Sequence, residues 1–225
     1  VSTDLSGGLS LEGPSAPPRS GGPARQLVIL LHGWGADGDD LIGLAPYWGE
    51  LLPDAAFVSP HAPFPCDMGF GRQWFSLADR TPEVIMAEVR RVAPMIDAFI
   101  DAQLAEHGLT PPQLAVVGFS QGTMMALYVA PRRPDEIAAL VGYSGRLIGA
   151  DELEAETKSR PPVRLIHGER DEMVPASSME SAGEALTAAG FSVETHLRPG
   201  LGHGIDPEGI AIAGRFIAEQ FAKRG

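Results

Sequence analysis

Gly118-Phe119-Ser120-Gln121-Gly122 reads G-x-S-x-G, between the apolar run "LAVV" and the stretch "TMMAL". Set between a buried strand and a helix, this spacing makes a sharp turn that pushes the serine into a strained, exposed position. Glycines two residues away on either side let the strand and helix backbones approach. A serine so placed is a candidate nucleophile, over a helix N-terminus that favours developing negative charge. Its hydroxyl needs a base, and the base needs an orienting carboxylate; on such a turn they follow in the order Ser, Asp or Glu, His. Beyond Ser120, His167 falls in a strand-end run and His196 in an alternating strand, while His203 lies in the glycine-rich "PGLGHGID" before the last helix. Loops at strand ends are where catalytic groups are presented, which favours His203. For the acid, "LIHGERDEMVP" sets Asp171 in the loop after the strand that ends at His167. Asp206 is the rival acid and is better explained as a helix N-cap.

A second stretch, "LVILLHGWGADGDD", carries Gly33-x-Gly35-x-x-Gly38, the spacing of a dinucleotide-binding turn. That fold needs a carboxylate at the end of its second strand to hold the ribose hydroxyls. Here the second strand, "AAFVS", ends in Ser59-Pro60-His61, and Asp37, Asp39 and Asp40 put negative charge where a pyrophosphate must sit. A nucleotide-binding protein using Gly33 to Gly38 is therefore the disfavoured rival reading. No H-E-x-x-H or comparable spacing is present, and neither a metal nor a cofactor is expected.

The elements that must position these residues follow from periodicity. Strand-like runs are "LVILL" (27–31), "AAFVS" (55–59), "LAVVG" (114–118), "ALVGY" (139–143), "VRLIH" (163–167) and "SVETHL" (192–197). Those rich in Val, Ile and Leu look buried on both faces, as parallel strands are. Thr81-Pro82-Glu83 opens a helix whose apolar stripe runs from Ile85 to Leu104 and stops at Gly108, with a kink expected at Pro94. Met179, Ala182, Leu186 and Ala189 form a second stripe, and Asp206-Pro207-Glu208 opens a last helix. Alternating β and α units imply an α/β fold with a mostly parallel central sheet and helices on both faces. Residues 1–25, rich in Gly, Ser and Pro, read as an arm or edge strand, and 26–225 as one domain.

Composition bounds the function class. The 225 residues carry 17 Lys and Arg against 29 Asp and Glu, a net charge of −12. Nucleic acid and anionic membranes demand the opposite sign. The one cysteine, Cys66, excludes an intrachain disulfide and any C-x-x-C site. No run reaches the ~18 apolar residues of a membrane helix. The first 25 residues lack the basic end and apolar core of a secretory signal, so a cytoplasmic location is expected. Lysine occurs only at 158 and 223 amid many Arg, Ala, Gly and Pro, as in a GC-rich, bacterial genome.

The stretches "LLHGWGADGDD", "GFSQGTMMAL", "HGERDEMVP" and "GLGHGI" together, in this order over roughly residues 27–222, resemble the carboxylesterase/phospholipase family that includes the acyl-protein thioesterases, within the α/β-hydrolase fold. The resemblance implies Ser120, Asp171 and His203 as a catalytic triad. It implies that the loop after the first buried strand supplies an oxyanion donor from the residue following His-Gly, here the Trp34 N–H, with the Gln121 N–H as the other. The segment "HAPFPCDMGFGRQWFSL" resembles the family's variable loop near the acyl site, where Trp74 and Phe75 with Phe64, Met68 and Phe70 are expected to form a hydrophobic wall; Trp34, Phe70, Trp74 and Met173 are expected along the substrate pocket. Trp34 stands where leucine is usual, and Thr123 replaces a second glycine after Ser-Gln-Gly.

The expected function is thus cofactor-independent hydrolysis of carboxylic esters, with acyl-protein thioesterase or lysophospholipase as alternatives using the same triad. The expected partner is a small-molecule ester, with a homodimer as an allowed assembly and neither nucleic acid nor membrane insertion.

Overall fold

The computed structural model describes residues 11–224. In chain order its strands and α-helices are β1 (Ser15–Ala16), β2 (Gln26–Leu31), α1 (Gly38–Leu41), α2 (Ala45–Trp48), β3 (Ala55–Val58), β4 (Phe64–Pro65), β5 (Arg72–Gln73) and α3 (Pro82–His107). These are followed by β6 (Leu114–Phe119), α4 (Gln121–Val129), β7 (Ala139–Tyr143), α5 (Ala150–Glu156), β8 (Val163–Gly168), α6 (Ser177–Ala188), β9 (Val193–Arg198) and α7 (Pro207–Ala222).

Seven strands form one sheet in the order β1-β3-β2-β6-β7-β8-β9. Only β1 runs antiparallel to its neighbour, pairing Ser15 with Val58 at the edge. From β3 to β9 every pair is parallel, with Ile29 opposite Val116 and Val116 opposite Leu140 across the centre. Residues 1–10 of the arm expected over 1–25 lie outside the described residues.

The apolar runs are continuous because both sheet faces are covered. Alternation along β2 sends Leu27, Ile29 and Leu31 into the core with α3, α4 and α6, and Val28 and Leu30 into the core with α2 and α7. Each such side chain, fully buried, contributes roughly 1.5–3 kcal/mol. Strand β9, at the sheet edge, has no fully buried residue, in keeping with its mixed polar and apolar sequence.

Helix α3 ends where Gly108 takes the left-handed conformation, φ 65°. It runs unbroken through Pro94, which sits on its exposed face. Strands β4 and β5 form a separate antiparallel hairpin that periodicity did not reveal. No helix among the described residues is long and apolar enough to cross a membrane.

Candidate active site

Ser120, Asp171, His203 and Trp34 lie just beyond the carboxyl ends of β6, β8, β9 and β2, so the parallel sheet carries all four to one edge. Ser120 has φ 52° and ψ −113°, a conformation rare outside glycine. The strain is held by backbone bonds: Ser120 N–H donates to Tyr143 C=O (2.8 Å), and Ser120 C=O accepts from Met124 N–H (3.2 Å). The flanking glycines are needed for space. A Cβ on Gly122 would lie 1.8 Å from the Leu31 carbonyl oxygen, and one on Gly118 2.4 Å from Thr123 N. The Thr123 hydroxyl caps this packing by donating to Tyr143 C=O at 2.7 Å.

His203 Nδ1 lies 2.7 Å from Asp171 Oδ2. The other carboxylate oxygen accepts the Met173 and Val174 N–H groups, each at 2.9 Å. Burial pushes the Asp171 pKa up, but the bonds from Val174, His203 and Met173 outweigh it and hold the group below the usual carboxylate range. His167 stands on the far side, with Nε2 2.8 Å from Val174 C=O and 3.3 Å from Asp171 Oδ2. Both neighbours are acceptors, so Nε2 carries the proton. The two loops are stitched together by Arg170 N–H to Leu201 C=O (2.8 Å) and Glu169 N–H to Arg198 C=O (3.0 Å). The His203 ring packs 5.0 Å from that of Phe119, the residue before Ser120.

Asp206 is occupied elsewhere. It caps α7 by accepting Gly209 N–H (2.8 Å) and pairs with Arg198 at 3.0 Å. His196 lies 3.0 Å from Arg164 on the edge strand.

The glycine loop turns back over Ser120. Gly35 has φ +82°, and a Cβ on Gly33 would touch the Phe119 ring (2.9 Å) and approach Ser120 Cβ (3.4 Å). Among the described residues, neither the Trp34 nor the Gln121 N–H donates to a protein acceptor. Strand β3 runs into Ser59-Pro60-His61 with no carboxylate at its end, so the nucleotide reading gains nothing. Asp37, Asp39 and His61 bring donor atoms within 4.8 Å of one another. Two of them already hold the start of α1, Asp37 accepting Asp39 N–H (3.0 Å) and His61 accepting Gly38 N–H (3.1 Å).

The residues expected along the pocket differ in exposure. Trp34 is half-buried, its indole N–H donating to Gln73 Oε1 at 2.7 Å. Phe70 and Met173 are 64% and 67% exposed. Trp74, expected on the wall, is instead wholly buried, because its indole N–H reaches back to His32 C=O (2.8 Å).

Sequence reasoning missed the Gln121 side chain. Its Oε1 accepts Trp74 N–H (2.8 Å) and its Nε2 donates to Phe75 C=O (2.7 Å), clamping that segment to the turn. A glutamine beside a serine carries no signal of a partner nearly fifty positions upstream.

A family model described as Phospholipase/Carboxylesterase matches residues 18–221. Esterase YpfH of Escherichia coli (strain K12) is 29% identical over 191 residues, covering 85% of this chain and 81% of the relative. Acyl-protein thioesterase 1 of Gibberella zeae is 26% identical over 210 residues, covering 86% and 89%. Among solved structures, that of esterase PE8 superposes with a TM-score of 0.90 at 41% identity, covering 94% of this chain and 99% of the other. Arabidopsis thaliana SOBER1 gives 0.76 at 25% identity, covering 88% and 99%.

Proposed function

The chain belongs to the phospholipase/carboxylesterase family of α/β-hydrolases, and on that footing we propose how it works as a serine hydrolase of carboxylic esters. Ser120 Oγ attacks the acyl carbonyl while His203 Nε2 takes its proton. The tetrahedral oxyanion is held by the N–H groups of Trp34 and Gln121. Collapse expels the alcohol, which receives the proton from His203, and leaves an acyl group on Ser120. Water, deprotonated by His203, then attacks the acyl-enzyme and frees the acid and the serine. Asp171 keeps Nδ1 protonated, so Nε2 is the free base.

The observation that carries this reading is the 2.7 Å His203–Asp171 bond at the same edge of the sheet as a serine held at φ 52°. Phe70 and Met173, exposed around these loops, supply apolar surface for the acyl or alcohol group. An acyl thioester or a lysophospholipid enters the same steps with a different leaving group, and the thioesterase relative supports the first of these. A cytoplasmic location, a bacterial source and a homodimer belong to the same proposal, and cell fractionation and sedimentation test the first and last. The deciding experiment is a release assay on p-nitrophenyl esters and acyl thioesters of graded length, wild type beside Ser120→Ala. Loss of release in the variant supports the reading, and equal release refutes it.

A further inference from the structure

We infer that His32 is a positioning residue for the oxyanion site: its Nδ1–H, bonded to Gly33 C=O, sets the peptide whose other end is the Trp34 N–H. The inference rests on the oxyanion role proposed above for Trp34.

His32 is wholly buried at the end of β2. Its Nε2 lies 2.9 Å from the Ala62 N–H, a group that can only donate, so Nε2 is unprotonated. The proton therefore sits on Nδ1, 2.7 Å from Gly33 C=O, which can only accept. The tautomer is fixed by its partners. Desolvation by burial, the largest influence, lowers the pKa to about 4, so the ring stays neutral in this role near pH 7.

No peptide among the described residues is cis. In a trans peptide the C=O and N–H point in opposite directions. Anchoring Gly33 C=O toward the His32 ring therefore aims the Trp34 N–H the other way. Ala36 N–H reaches the same carbonyl at 3.3 Å, closing the turn that Gly35 permits with its positive φ. The approach of Gly33 to Ser120 Cβ places this peptide beside the nucleophile. Donation to the carbonyl also polarises the peptide and strengthens its N–H as a donor. His32 is held in turn by Trp74, whose ring packs 5.3 Å away and whose indole N–H bonds to His32 C=O.

Two substitutions separate the ring's bonds. His32→Asn keeps a donor near the Nδ1 position, and His32→Gln keeps a polar group near the Nε2 position. We expect His32→Gln to lower kcat by ~10- to 100-fold with KM little changed, a partial loss of one oxyanion donor. His32→Asn should recover most of that loss. Affinity for a trifluoromethyl ketone, which forms an oxyanion on Ser120, should fall in parallel with kcat/KM. A general weakening of the fold would lower the amount of active enzyme without changing that affinity. Equal loss in both variants, or an unchanged ketone affinity, would overturn the inference. If both variants fail to fold, nitrogen NMR of the wild type decides: a His32 ring protonated on Nε2 at pH 7 refutes it. An active Ser120→Ala would instead sink the underlying mechanism, whatever the His32 variants do.

Discussion

His203 and Asp171, thirty-two residues apart, meet through a 2.7 Å bond, and the carboxylate is fully enclosed while the imidazole is about one-fifth exposed. The carboxylate is thus fixed by protein on all sides, and the imidazole keeps part of its surface open. This asymmetry suits a base that must receive a proton and pass it on.

Ser120→Ala and His203→Ala should each lower kcat by ~10⁴–10⁶, and the double variant should be little worse, because triad members act as a unit. Steady-state kinetics on purified, folded variants measure this. A double variant far worse than either single one would show that the residues act separately.

Asp171→Asn should cost ~10⁴ in kcat by favouring the wrong His203 tautomer. Asp206→Asn should leave kcat near wild type and lower stability by at most ~1 kcal/mol, because asparagine still caps α7 and only the charge paired with Arg198 is lost. The reverse pattern would make Asp206 the orienting acid.

Trp34→Pro deletes the amide donor and should lower kcat by ~10²–10³ in protein that retains its melting profile. Trp34→Leu keeps the amide and should hydrolyse small acetate esters normally while changing tolerance of bulky acyl groups. If Trp34→Leu lost acetate hydrolysis as well, the indole itself would be part of the machinery.

Stability should depend on pH through His32. Its folded pKa, about 4, lies below the ordinary 6.5, so between these values the unfolded chain binds the extra proton. Stability therefore rises with pH through this window, by about 3 kcal/mol in all. Asp37 pulls the folded value up, while His61 and Arg72 push it down, so these neighbours tune the lower limit. Urea melts at pH 4.5 and 7 should show the difference, and a folded His32→Asn should lose most of it. An equal slope in that variant would assign the effect to other groups. Asp171 and Asp206, both with lowered pKa values, add stability that is lost only at more acid pH, as it falls through their folded values.

Gly122→Ala should prevent stable folding or cost about 4 kcal/mol or more, since its Cβ meets backbone that cannot rotate away. Thermal melting measures it, and a tolerated alanine would mean that the turn can open.

Local patterns carried the strands and the loops that hold the proposed triad. Each inner strand is an unbroken apolar run, because both faces of the sheet are covered, and the loops that follow the strands carry Ser120, Asp171 and His203. The hairpin was hidden because two residues per strand are too few to show alternation. Its turn, through Gly69 and Gly71 at φ 82° and 66°, looks in sequence like any loop. Trp74 read as a pocket residue because an aromatic in a variable loop often is one. Its bond to His32, forty-two positions away, is set by tertiary packing alone. The exposure of Phe70 and Met173 was illegible for the same reason.

The Gln121 amide makes the Ser120 turn and the base of the neighbouring hairpin a single mechanical unit. Laboratory evolution toward new esters would therefore find its freedom at Met68 and Phe70, the exposed side chains of the hairpin's turn. Changes at Trp74 or Phe75 would be transmitted to the serine through that amide and would spoil turnover before they altered selectivity. The chain thus separates a replaceable fingertip from a joint that must stay locked.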